Sequence, residues 1–242
     1  MKHHQLQNHY QNNMKYTLLQ FNIPDLNRTF VSGAENYGLS HIINGNINML
    51  KEIEKDYGTI VKKWSEVFEL DIEIIKSFIA TESGGKNRPA NKFGATGPMQ
   101  MTVNAVAESV VKWKAVVKSN LPTEAINFLN KKASFMTKLT SEILTATNKT
   151  KVKVLLTDEE FNIMIGCLYL RWLIERFKFF NKVMVAYNAG PYNSTLLSYG
   201  KQNVSSEALV INKNIPIESR NYIVKMLGVN GFMDLMLKNK LA

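Results

Sequence analysis

Apolar residues recur at helical spacing through much of this chain, and the pattern is clearest in its middle and C-terminal parts. Ile72, Ile75, Phe78 and Ile79 define one face of a helix, with Asp71 placed to cap its start and Gly84-Gly85 to stop it. Residues 59–102 thus read as two helices and a following loop. A longer helix starts at Thr157-Asp158-Glu159-Glu160, which reads as a capping box, and continues through Phe161, Ile165, Leu168 and Trp172. This is expected to be a central buried helix, with Arg171, Arg176 and Lys178 supplying exposed charge toward its end. Phe179, Phe180, Val183 and Met184 open the next helix. Pro216 stands where a first helical turn tolerates it, ahead of Tyr222, Ile223, Met226 and Leu227. Strict alternation is weak, and only short strand pieces near 92–102 and 208–212 are expected. The fold class is therefore mainly α, with at most a small β element.

Two regions differ in character. Residues 1–50 are polar and Asn-rich, with turn signals at Asn22-Ile23-Pro24-Asp25, Ser32-Gly33 and Asn44-Gly45-Asn46. They read as an N-terminal arm, either for docking onto a larger assembly or as a tail; residues 51–242 form the main domain. Within that domain, 103–156 is a further helical segment. Trp113, Val116 and Val117 stand among Lys112, Lys114 and Lys118, and Phe128, Leu129 and Phe135 precede more lysines. It reads either as an amphipathic helical pair packed on the domain or as a lid over a cleft.

The periodicity also exposes one chemically distinctive group. Glu82 lies three positions beyond Ile79 and four beyond Phe78, so it shares their apolar face. Burial disfavours the charged form of a carboxyl group, and the partial negative charge of a helix C-terminus acts in the same direction. Both effects keep a proton on Glu82 and make it a candidate general acid. Gly84-Gly85, Gly94 and Gly97 mark a tight loop after it, in which Gln100 follows an apolar Met99 and offers an amide to a cleft. Downstream, Ala186-Tyr187-Asn188-Ala189-Gly190-Pro191 combines a phenol, an amide and small residues that let a ligand approach the backbone.

In this order the blocks resemble the family 1 lytic transglycosylases, the soluble lytic transglycosylase (SLT) domain with a goose-type-lysozyme-like fold. Glu82-Ser83 looks like the catalytic Glu-Ser pair. Gly94 to Gln100 looks like the Gly-Leu-Met-Gln block, with Pro98 in place of Leu, which removes a backbone donor. Asn162-Ile163, Gly166 and Tyr169-Leu170 resemble the helix carrying Asn-Ile, Gly and Tyr-Leu. Ala186 to Pro191 matches its block without change. Ile215-Pro216 with Glu218, Arg220 and Tyr222 looks like the closing Pro-Glu-Thr-x-x-Tyr helix, with Ser219 in the Thr position. The resemblance spans roughly residues 60–230, and 103–156 is longer than the family usually has there.

The resemblance implies a one-carboxylate mechanism. Glu82 protonates the glycosidic oxygen between MurNAc and GlcNAc, the acetamido group assists, and the same glutamate then deprotonates the C6 hydroxyl to give a 1,6-anhydro product. Substrate contacts carried over are Ser83, Met99, Gln100, Tyr169, Tyr187, Asn188, Glu218 and Tyr222, with Asn91 where the family often has a serine. A lysozyme-type hydrolase instead uses two carboxyl groups flanking the bond. Residues 83–106 contain no Asp or Glu, which favours the single-carboxylate route while leaving a remote acid open.

Composition narrows the remaining choices. His3, His4, His9 and His41 stand far in sequence from these blocks, which disfavours zinc amidases and peptidases, and neither metal nor cofactor is expected. Cys167 sits in an apolar helical run and reads as a core residue. With 30 Lys and Arg against 20 Asp and Glu, the net charge of +10 suits anionic partners such as wall glycopeptide, and nucleic acid is not required. No stretch approaches the roughly 20 apolar residues of a membrane span, and Met1 to Lys15 has no apolar signal-peptide core. That pattern raises the expectation of a phage enzyme, in a virion or in the host cytoplasm before release to the cell wall, with virion proteins as partners of the arm. A lysozyme-type muramidase and a non-catalytic virion or peptidoglycan-binding protein are the competing expectations.

Overall fold

The computed structural model describes residues 40–239. Most of the N-terminal arm, with His3, His4, His9 and the turn signals at 22–25 and 32–33, lies outside the described residues. The first helix, α1 (Ser40–Phe68), starts within the span read as arm and runs through Asn44-Gly45-Asn46, which overturns the turn reading there. The physical reason is an unbroken apolar stripe. Ile43 and Ile47 pack against the core, and Leu50, Ile53, Tyr57, Val61, Trp64 and Phe68 continue it fully buried on the same face.

α2 (Ile72–Ser83) forms as its sequence dictates. The Asp71 carboxylate accepts from the Glu73 N–H at 3.0 Å, satisfying one of the orphan donors of the first turn. At the other end Gly84 adopts φ 67° and its N–H donates to the Ala80 carbonyl at 3.1 Å. Ile74, Ile75, Phe78 and Ile79 are entirely buried.

The segment 103–156 holds three helices rather than two: α3 (Val103–Val117), α4 (Thr123–Ala133) and α5 (Ala146–Leu155), with a 3-10 turn at Met136–Lys138. Val106, Trp113, Leu129, Met136 and Val152 belong to the main core, whereas Ile143 and Val154 are exposed. Trp113 meets the Phe68 ring edge-on at 5.9 Å, and Phe128 meets Trp64 at 5.1 Å.

α6 (Glu159–Phe177) is the central helix. Its N-cap is Asp158, which accepts from the Phe161 N–H at 2.9 Å, one residue later than the capping box placed it. Arg171 is corrected from exposed to buried: its guanidinium donates to the Phe68 carbonyl at 2.7 Å and pairs with Glu69 and Glu175. A helix wrapped by neighbours on every side leaves no solvent face for it, so the charge is buried with partners.

Next come α7 (Phe180–Ala189), α8 (Ser194–Ser198), α9 (Ser206–Ile211), α10 (Ile217–Leu227) and α11 (Phe232–Asn239). The strand expected at 208–212 is corrected to α9, a turn of helix capped by Ser205. Near 92–102 the expected strand reduces to the isolated bridge of Thr96 with Met101. The fold is mainly α, as a lysozyme-like domain requires. None of the described helices is long and apolar enough to cross a membrane.

One close approach positions the loop that follows α2. A Cβ on Gly166 of α6 would lie 2.2 Å from the Met99 sulfur, so only glycine lets Met99 seat there. Gly166→Ala is expected to lower stability by about 1–3 kcal/mol through overpacking. Denaturant unfolding measures the loss; an unchanged midpoint would show that Met99 moves aside freely.

Candidate active site

Glu82 leaves α2 in its last turn and lines a cleft of ≈ 290 Å³ together with Thr81, Asn188, Glu218, Asn221, Tyr222 and Lys225. Three elements therefore converge: the end of α2, the end of α7 and one face of α10 from Glu218 to Lys225. Beneath them lies an aromatic layer. Phe78, one turn before Glu82, has its ring centroid 4.7 Å from Tyr187 and 5.7 Å from Tyr222, and Tyr187 stands 5.4 Å from Tyr169.

Burial sets the acidity of Glu82. The residue opens on the cleft, yet its carboxyl is desolvated by its surroundings, and burial pushes its pKa up to about 8. The Tyr222 hydroxyl and the Lys225 ammonium pull in the opposite direction and stabilise the ionised form. The Tyr222 contact falls short of well-formed hydrogen-bond geometry, and the buried hydroxyl has no better partner among the described residues. Tyr222→Phe should therefore raise the Glu82 pKa further. Carbon-detected NMR titration of the carboxyl would measure it, and an unchanged or lowered value would refute the role given to Tyr222.

The other expected site residues divide into those that face the cleft and those that build it. Asn188 is exposed on the cleft, and its Oδ1 accepts from the Ser219 hydroxyl at 2.5 Å, which leaves its N–H2 group for a ligand acceptor. Glu218 also faces the cleft, bringing in a second carboxylate from a distant part of the chain.

Tyr187 and Tyr169 are buried, and burial raises the pKa of both hydroxyls. The Tyr187 hydroxyl donates to the Met99 carbonyl at 2.9 Å, so it holds the loop. Met99 itself is fully buried, which places its side chain in the core.

Ser83, expected as a substrate contact, is buried; its hydroxyl donates to the Ile79 carbonyl at 3.0 Å and accepts from the Lys86 N–H at 3.2 Å. This is a helix-ending role, imposed by the need to satisfy the last carbonyls and the turn that follows.

Asn91 is exposed and organises its own turn, its Oδ1 accepting from the N–H groups of Phe93 at 2.8 Å and Ala95 at 3.1 Å. Gln100 adopts φ 47° and its amide donates to the Gly97 carbonyl at 2.8 Å. Neither Asn91 nor Gln100 lines the cleft around Glu82.

The sequence blocks alone did not single out Thr81, Asn221 and Lys225. Their cue was positional: Thr81 adjoins Glu82, and Asn221 and Lys225 share α10 with Glu218 and Tyr222. Asn162, recognised only as part of a block, proves to be the anchor of the loop. Its Oδ1 accepts from the Met99 N–H at 2.9 Å, and its Nδ2 donates to the carbonyls of Thr96 at 2.7 Å and Leu156 at 3.0 Å. Cys167 is fully buried and burial pushes its thiol up, so it is a poor nucleophile.

No curated protein matches this chain. A family model described as "Transglycosylase SLT domain" matches residues 104–208. The match runs from α3 to α9 and takes in Asn162, Tyr169, Tyr187 and Asn188, whereas Glu82, Gln100, Glu218 and Tyr222 lie outside it. On a helical, lysozyme-like fold, that match makes the chain similar to the transglycosylase SLT domain over rather less than half of its length.

Proposed function

We propose that the protein is a peptidoglycan lytic transglycosylase in which Glu82 serves first as acid and then as base. One observation carries this reading: a glutamate whose surroundings desolvate its carboxyl and push its pKa up to about 8 stands on the wall of an open cleft. The two opposing influences on Glu82 suit the two halves of the reaction. Burial keeps the proton in place until the glycosidic oxygen takes it and the bond from C1 breaks. Tyr222 and Lys225 then stabilise the carboxylate while it waits to accept the C6 hydroxyl proton. The C6 oxygen bonds to C1, Glu82 regains its proton, and no water is consumed. Asn188 supplies an amide donor to the bound sugar.

The cleft also supports a second reading. Glu218 shares it with Glu82, and a carboxylate pair across a sugar can direct hydrolysis. Mass spectrometry of purified peptidoglycan digested by the protein separates the two. Muropeptides ending in 1,6-anhydro-MurNAc are expected. Reducing ends, heavier by one water, would replace this mechanism with the hydrolytic one and direct attention to Glu218→Gln.

A further inference from the structure

Arg176, in the last turn of α6, differs from the other arginine of that helix. Arg171 pairs with two carboxylates, those of Glu69 and Glu175, whereas Arg176 pairs with none among the described residues. Its guanidinium carbon lies 5.3 Å from the Trp172 ring centroid, 5.5 Å from Phe177 and 4.7 Å from Tyr192. Its one hydrogen bond among the described residues, to the Pro191 carbonyl, is long at 3.4 Å. Rings against the guanidinium plane hold it in place without consuming its N–H edge, which is shaped for bidentate binding of a carboxylate.

Its surroundings connect it to the cleft. Tyr192 follows Asn188-Ala189-Gly190-Pro191 directly and is 49% exposed, unusual for a tyrosine fixed on both sides. It is tied down by Lys112 of α3, which hydrogen-bonds its hydroxyl and stands 4.8 Å from its ring centroid. Lys112 is also shared by Glu108 at 3.3 Å and Glu142 at 3.0 Å, so its own charge is already answered.

Between Asn188 and Tyr192 the backbone is open: a Cβ on Gly190 would meet nothing within 4 Å. Tyr169 bridges the two ends. Besides burial and Glu108, the charges of Arg176 and Glu82 both act on its hydroxyl, so both lie within electrostatic reach of one side chain.

We propose that Arg176, framed by Tyr192, forms a second subsite of the cleft that receives a carboxylate of the peptide carried by the glycan strand. The proposal rests on the peptidoglycan reading above and adds to it a preference for peptide-bearing strands. The four charges of Arg176, Lys112, Glu108 and Glu142 balance, so the subsite acts through contact rather than long-range steering. The effect should fall on KM rather than kcat.

The test compares peptide-bearing strands with the same strands stripped of peptides by an amidase. Arg176→Gln is expected to raise KM about tenfold for the peptide-bearing strands and to leave the stripped strands unchanged. Arg176→Lys, which keeps the charge but loses the fork, should show the same selectivity loss. Equal losses on both substrates in a folded variant, or no loss on either, would overturn the proposal.

A binding arm separates this proposal from the catalytic one. Calorimetry on the Glu82→Gln protein compares a soluble peptide-bearing muropeptide with its peptide-free disaccharide. Tighter binding of the former, abolished by adding Arg176→Gln, supports the subsite whatever product the unmodified protein makes. Equal binding of the two ligands overturns it. Absence of anhydro products with the subsite intact counts against the catalytic reading alone.

Discussion

Glu82→Gln is expected to abolish glycan cleavage, with a loss of about 10²–10⁴-fold, while the fold is retained. Glutamine keeps the size and can still accept a hydrogen bond, but it has no acidic proton to give to a leaving oxygen. The same substitution should stabilise the protein. The sign follows from the raised pKa: between about 4.5, the ordinary value, and about 8, the folded state holds a proton that the unfolded state has released. Folding stability therefore declines as pH rises through that window, and the native protein carries the full penalty above pH 8.

An uncharged side chain removes the penalty, which is on the order of a few kcal/mol at high pH. It has no such advantage below pH 4.5, where both states are protonated. Denaturant unfolding at pH 4 and at pH 9, for both proteins, measures this directly. A Glu82→Gln protein that still cleaves, or whose stability falls with pH as steeply as the parent, would eliminate Glu82 as the buried acid. In the parent, activity should fall as pH rises through about 8, because the first step needs the protonated form.

Asn162→Ala is expected to cost on the order of 3 kcal/mol or more and to disorder the segment from Thr96 to Gln100. The side chain is completely buried and uses three of its hydrogen-bonding positions on backbone groups of Met99, Thr96 and Leu156. Truncation leaves those groups without partners in a site water cannot easily enter, and each unsatisfied group costs about 1–3 kcal/mol. Gly97 makes the fit tighter still, since a Cβ there would lie 2.3 Å from the Asn162 amide nitrogen. Hydrogen exchange at the Met99 amide should accelerate together with the loss in stability. Asn162→Asp serves as a control: it keeps the acceptor for Met99 but loses both donors, so it should be intermediate or worse. A stability loss below about 1 kcal/mol for Asn162→Ala would mean that the loop is held by Tyr187 and its own turns instead.

The helices were largely readable because helix formation is a local matter of spacing and caps. Ile72, Ile75, Phe78 and Ile79 with Asp71 and Gly84 specify α2 almost to the residue. Glu82 emerged the same way, since its relation to Phe78 and Ile79 is set by helical geometry alone. Local signals misled where tertiary packing overrode them. Asn44-Gly45-Asn46 carries turn residues, but burial of Ile43, Ile47 and Leu50 draws it into α1. Arg171 carries a full charge, but its helix is enclosed, and Phe68, Glu69 and Glu175 make burial tolerable.

The composition of the cleft lay beyond any local pattern. The absence of acids in residues 83–106 spoke for a single carboxylate, yet α10 delivers Glu218 to the same cleft from far along the chain. Family-like blocks likewise could not distinguish residues that face a substrate from residues that hold the wall. The Ser83 and Tyr187 hydroxyls are spent on backbone carbonyls and the Met99 backbone is held by the side chains of Asn162 and Tyr187, while Asn188, Glu218 and Tyr222 reach the cleft. Periodicity and capping chemistry are short-range, so residue order alone settles which segments are helical and that Glu82 lies on an apolar face. The surroundings that raise its pKa, and the partners it meets across the cleft, depend on contacts between α2, α7 and α10, and those exist only once the chain has packed.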